Sequence, residues 1–120
     1  MAISVGMVTF DTLHPRELAA WWAAQTGGHL MCEPNDEFVW ISPGPDGGPS
    51  LGFQGVPDPT PGKNKLHLDT GPGGGDAAAE EARLIAAGAT FVAHHDEHPG
   101  IEFTVLADPD GNQFCLSYSH

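Results

Sequence analysis

Residues 57–63, Pro-Asp-Pro-Thr-Pro-Gly-Lys, form a connector with little capacity for helix or strand, because its three prolines each lack a backbone donor. On either side of it the same order of elements runs twice. Before it, Ile3 to Phe10 alternates as a strand, and Pro15 opens a helix running to about Thr26, with Leu18, Trp21, Trp22 and Gln25 at helical spacing. Gly27-Gly28 stops that helix, and strand-like runs follow at 29–34, 37–42 and 50–56, the last two joined by a turn at Gly44–Pro49. After the connector, Asn64 to Thr70 is a strand, Asp76 caps an alanine-rich helix from Ala77 to Ala87, and Gly88 closes it. Strands near 89–93, 101–107 and 112–118 complete the second half. Two such units, each with one apolar sheet face, can bury that face under their own helix.

The second half ends in the most informative run of the chain. Asp108-Pro109-Asp110-Gly111-Asn112 is turn chemistry: Pro109 pre-sets φ, while Gly111 and Asn112 tolerate positive φ. Phe103–Leu106 and Phe114–Tyr118 flank it as strands, which makes a terminal hairpin. Alternation then sorts the residues. His67 and Asp69 are two apart and point the same way. Gln113, Cys115 and Ser117 share one side, small or polar as a cleft wall would be, with bulky Phe114, Leu116 and Tyr118 opposite. Gly52 and Gln54 stand against Leu51 and Phe53 in the same manner.

Bulk properties narrow the function classes. The 120 residues suit a single domain, with module one at about 1–56, the connector at 57–63 and module two at about 64–120. Acids outnumber bases 16 to 4, a formal charge of −12, so nucleic acid and anionic membranes are repelled and cationic or neutral ligands favoured. No apolar run approaches a membrane span, the first residues carry no basic signal region, and Cys32 and Cys115 make no disulfide framework. A cytoplasmic location is the expectation. The glycines at 71–75 lack the lysine of a phosphate loop, and no nucleophile elbow or dinucleotide fingerprint is present.

The element order and three segments resemble the vicinal-oxygen-chelate superfamily of glyoxalase, bleomycin-resistance and extradiol-dioxygenase proteins. The segments are His14-Pro15-Arg16-Glu17-Leu18-Ala19-Ala20-Trp21-Trp22, Gly62-Lys63-Asn64-Lys65-Leu66-His67-Leu68-Asp69 and Gly111-Asn112-Gln113-Phe114-Cys115. They are similar to the Asp-Pro-x-x-Leu-Ala-x-Phe-Tyr, Gly-Lys-Asn-x-x-His-Leu-Asp and Gly-Asn-x-Phe-Cys segments of its compact glyoxalase-like branch. The resemblance implies an α+β fold in which paired βαβββ modules form a curved mixed sheet around a cleft.

Metal-using members place one donor in the first and one in the last strand of each module. That pattern maps here to Ser4, Gln54, His67 and Cys115. His67 matches, Gln54 is a neutral oxygen donor, Ser4 is a poor ligand, and Cys115 stands where a glutamate usually closes the site. Two good donors fall short of a standard centre without help from Asp69 or water. The expectation is therefore a metal-free protein that binds a small molecule, as bleomycin-resistance-type members sequester a drug, often a cationic one. Its binding residues would be Trp40, Gln54, His67, Asp69, Phe103, Gln113, Cys115 and Ser117, with Phe38 as a further aromatic wall. The alternative is a lyase, isomerase or dioxygenase with a divalent metal (Zn, Ni, Mn or Fe) on Gln54, His67 and Cys115. A third possibility is a metal-free enzyme with His67 as general base. The resemblance also implies a homodimer. His94-His95-Asp96-Glu97-His98 is expected to be a polar loop, and one of Trp21 and Trp22 to anchor the first helix while the other faces outward.

Overall fold

The computed structural model describes residues 2–32 and 37–118. It divides at Thr60 and Pro61 into two compact units. The first contains β1 (Met7–Thr12), α1 (Pro15–Thr26), β2 (Leu30–Cys32), β3 (Phe38–Ile41) and β4 (Ser50–Gly55). Its sheet has the order β1-β4-β3-β2, with β1 parallel to β4 and the other pairs antiparallel. The second contains β5 (Leu68–Thr70), α2 (Ala77–Ala86), β6 (Thr90–His98), β7 (Ile101–Ala107) and β8 (Gln113–Ser117). Its sheet repeats the pattern as β5-β8-β7-β6, again with one parallel pair. The fold is thus α+β, two helices on two four-stranded mixed sheets. No helix among the described residues is long and apolar enough to cross a membrane.

In each unit one sheet face is buried with the helix. Val39, Ile41, Leu51 and Phe53 join Leu18, Ala19 and Trp22 of α1 in the first core. Phe10 stacks on Phe53 at 5.1 Å and meets Trp22 at 6.0 Å. Burying side chains of this size contributes roughly 1.5–3 kcal/mol each. Trp22 is the anchor, and half-buried Trp21 packs edge-on against it. In the second unit Leu84 of α2 is buried, as are Leu106, Phe114 and Leu116 of the sheet. A polar cluster also ties α2 down. Glu81 accepts hydrogen bonds from the Thr104 hydroxyl at 2.5 Å and the Tyr118 hydroxyl at 2.7 Å. Burial, and then the Glu81 carboxylate, push the Tyr118 phenol above its ordinary value. His94 joins the cluster, with Nδ1 2.6 Å from the Thr104 hydroxyl and Nε2 2.8 Å from Glu102.

Both β-hairpins that end a unit turn through the same four-residue sequence type, Gly44-Pro45-Asp46-Gly47 and Asp108-Pro109-Asp110-Gly111. Gly47 and Gly111 have φ of 85° and 89°, and each donates its N–H to the carbonyl of the residue opening the turn. The second turn is braced further. Asp108 is 2% exposed, and its Oδ1 accepts from the backbone N–H of Asp110 and of Asn112, both at 2.9 Å.

Three expected boundaries are corrected. The first strand starts at Met7, not Ile3; Ile3 and Val5 are 97% and 73% exposed. Its partner β4 begins at Ser50, after Pro49, so the ladder has nothing to pair with further back. The strand expected from Asn64 shrinks to Leu68–Thr70. Asn64 replaces its missing start with its own amide: Oδ1 accepts from Gln113 N–H at 2.8 Å and Nδ2 donates to the Gln113 carbonyl at 3.2 Å. The run His94 to His98 is not a loop but the outer part of β6, paired antiparallel with β7 through irregularities at Phe91/Ala93 and His95/His98. Positions 33 and 34 of the expected second strand lie outside the described residues.

Candidate functional site

Alternation on β8 sends Phe114 and Leu116 into the helix-packed core and Gln113, Cys115 and Ser117 to the opposite face. Register then fixes their neighbours: Asp69 of β5 and Val105 of β7 both pair with Cys115, and Phe103 pairs with Ser117. On the far side of β7, His95 pairs with Phe103, and the two rings lie 5.1 Å apart. This face walls a cavity of about 570 Å³. Ile101, Phe103 and Val105 form an apolar wall; Lys63, His67, Asp69, Gln113, Cys115 and Ser117 supply polar groups. Few orienting groups beside an apolar wall suit a small organic ligand.

At the polar end three donors meet. His67 Nδ1 lies 3.2 Å from Asp69 Oδ1 and 4.0 Å from Cys115 Sγ. One donor atom from each residue falls within 4.8 Å of both others. Both neighbours address the same ring nitrogen. A nucleophile relay needs them on opposite nitrogens, with the carboxylate on one and the thiol on the other. Burial, and then the charge of Asp69, also push the Cys115 thiol above its ordinary value, which disfavours the thiolate.

The eight expected binding residues separate by unit. His67, Asp69, Phe103, Gln113, Cys115 and Ser117 all line the cavity in the second unit. Trp40 and Gln54 belong to the first unit, on β3 and β4, and Gln54 is exposed. Ser4 lies ahead of β1 in exposed chain. Phe38 sits on β3 beside Gln54, in the first unit. The sequence reasoning missed His95, Lys63, Ile101, Glu102 and Val105, among others, as lining residues. Period-two alternation through β6 was the signal for His95, obscured by reading that segment as a loop.

The parallel strand pair of each unit carries residues on the sheet face turned away from its helix. Thr9 pairs with Gly52 in the first unit as Asp69 pairs with Cys115 in the second. Met7 with Ser50 and Asp11 with Gln54 are further parallel pairs on the same face of the first sheet. Met7, Thr9 and Gly52 offer no strong ligand, and a Cβ added at Gly52 would stand 2.7 Å from Met7 Sδ and 2.9 Å from Thr9 Oγ1, side-chain atoms that must shift to admit it. The donors of the second unit alone, one nitrogen, one oxygen and one sulfur, suit a borderline ion of the zinc class better than a hard oxygen-seeking cation.

The family model of the glyoxalase-like domain matches residues 7–117. No match was found among curated protein sequences. Among solved structures, a glyoxalase/bleomycin resistance protein/dioxygenase family enzyme from Burkholderia phytofirmans is similar with a TM-score of 0.75 at 20% identity, over 96% of this chain and 98% of that one. TnmS3, an antibiotic binding protein from Streptomyces sp. CB03234, has a TM-score of 0.67 at 25% identity, over 100% of this chain and 99% of its own. Lactoylglutathione lyase from Agrobacterium tumefaciens has a TM-score of 0.66 at 13% identity, over 95% and 92% of the two chains. With the family model spanning both βαβββ units, this chain belongs to the glyoxalase-like domain family.

Proposed function

We propose that this protein binds a small organic molecule in the cavity of its second unit and holds it without transforming it, in the manner of a drug-sequestering protein. The observation that carries this reading is the cavity itself, with Ile101, Phe103 and Val105 facing polar groups at one end. Similarity to an antibiotic binding protein over the whole chain supports it. Asp69 and Glu102 oppose Lys63 around the cavity, and the chain carries −12 overall, so the ligand is cationic. Binding rests on the protein's own side chains and needs no ion. We place the protein in the cytoplasm, where two free cysteines are stable, and read it as a homodimer; sedimentation that finds only monomer at micromolar concentration removes the dimer.

The test is calorimetric titration of chelator-treated protein with a panel of cationic aromatic antibiotics, bleomycin among them. Binding by wild type, weakened roughly tenfold or about 1.4 kcal/mol in Phe103→Ala, is the expected result. Equal affinity in Phe103→Ala, or binding that returns only when a divalent ion is restored, defeats this reading.

One observation favours a second reading, a divalent-metal-dependent lyase, isomerase or dioxygenase: the convergence of His67, Asp69 and Cys115. A bound ion would supply polarisation of two neighbouring substrate oxygens. His67 and Cys115 would hold it, with Asp69 beside them. In an ion-free variant of enzyme function His67 is the general base, and turnover lost in His67→Ala with ligand binding kept is its signature.

A further inference from the structure

We propose that His95 is a specificity-determining residue of the second unit's cavity: its Nε2 accepts a hydrogen bond from the ligand, which selects organic cations bearing an N–H donor over cations alkylated at every nitrogen. This role rests on the ligand-binding reading and narrows the class of molecule that the cavity takes.

Register puts the ring in place. β6 is the outer strand of its sheet, at the opposite edge from β5, which carries Asp69. His95 on β6 pairs with Phe103 of β7, which pairs in turn with Ser117 of β8, and all three line the cavity. The half-buried His95 ring packs against that of Phe103, with centroids 5.1 Å apart and 32° between the planes, and this contact holds its orientation. Glu97 then fixes the proton. Its Oε1 lies 2.9 Å from His95 Nδ1, and its Oε2 accepts from the Asp96 backbone N–H, also at 2.9 Å. The hydrogen bond from His95, and next that from its own backbone, hold the Glu97 carboxyl below its ordinary value, so it is ionised at neutral pH. An ionised carboxylate only accepts. The Nδ1 proton is therefore set, and a neutral ring carries none on Nε2. Nε2 has no partner among the described residues. His95 thus brings an acceptor to a wall otherwise formed by Ile101, Phe103 and Val105. A cation with N–H groups can donate to that acceptor. A fully alkylated cation cannot, and it would cover Nε2 without satisfying it. Glu97 acts through His95 and is a positioning residue.

The test uses the full chain at about pH 8, where an ordinary imidazole is neutral. Two fluorescent dyes are titrated: proflavine, a flat aromatic cation with N–H donors, and the same ring system methylated at every nitrogen, which keeps the charge and loses every N–H. The ratio of the two affinities should shift toward the methylated dye by about fivefold in His95→Phe, a change equal to one ordinary hydrogen bond. That variant keeps a ring against Phe103 and lacks the acceptor. Nuclear magnetic resonance of ligand-free protein with isotopically labelled histidine reads the tautomer directly. The ring whose signals vanish in His95→Phe should carry its proton on Nδ1, and Glu97→Ala should move it toward Nε2. Circular dichroism of each variant confirms the fold, and His95→Leu stands in if the phenylalanine variant is unfolded. A wild-type proton on Nε2, an unchanged tautomer in Glu97→Ala, or an unchanged affinity ratio in His95→Phe overturns the role of His95 and leaves the ligand-binding reading standing. Binding of neither dye to wild type counts against that reading and overturns this one with it.

Discussion

The two units share strand order, one parallel pair, one helix and even the turn of the last hairpin, yet they furnish the sheet face opposite the helix differently. In the first unit that face carries Met7, Thr9, Asp11, Gly52 and Gln54; in the second it carries Asp69, Gln113, Cys115 and Ser117, with His67 beside them. On the helix-packed face the counterparts are alike: Leu51 and Phe53 against Phe114 and Leu116, all at most 7% exposed. The lesson is that the fold constrains one face of each sheet and leaves the other to be specialised. Core residues on β4 and β8 answer to packing. The residues between them answer to whatever the face contacts.

The largest effects should test the alike faces. Phe53→Ala is expected to cost about 3–5 kcal/mol and its counterpart Leu116→Ala about 2–5 kcal/mol, measured by denaturant unfolding. A near-zero cost at Leu116 breaks the equivalence of the two cores. Next come the turns. Asp108→Gly makes the second turn resemble the first and removes a buried carboxylate with several donors, for an expected loss of about 1.5–3 kcal/mol. The reverse change, Gly44→Asp, should also destabilise, because its Cβ would stand 2.2 Å from the Thr26 carbonyl oxygen. A stabilised Gly44→Asp would show that the turns are interchangeable after all.

The smallest effect sharpens the contrast between the unlike faces. The Cys115 thiol is pushed up by burial and, next, by Asp69. In a Cys32→Ser background, alkylation of Cys115 at neutral pH should be slow, since the thiolate is the reactive form. Removing the neighbouring negative charge lowers the thiol pKa and raises the thiolate fraction, so Asp69→Asn should alkylate severalfold faster. An unchanged rate would mean that Asp69 does not act on the thiol.

Much of this was legible from local chemistry. Pro15 and Gly27 bracket α1 where expected, since a proline at the first turn and a glycine past the last residue act without tertiary help. Asp76 caps α2 through Ala79 N–H as its side chain predicts. The two faces of β8 were readable because alternation is a backbone property. What escaped depended on partners distant in sequence. The start of β1 is set by where β4 begins, and the shortness of β5 by the Asn64 amide acting in place of backbone. His95 looked like solvated loop because its strand character comes from pairing with β7, not from its own polar sequence.

The single-residue alternation along β8 also bears on descent. Codons 113, 115 and 117 can drift or be selected while 114 and 116 stay under purifying pressure, because neighbouring residues serve unrelated masters. A lineage carrying this hairpin can acquire a new taste in small molecules through isolated point changes, with no intermediate that forfeits the ability to fold.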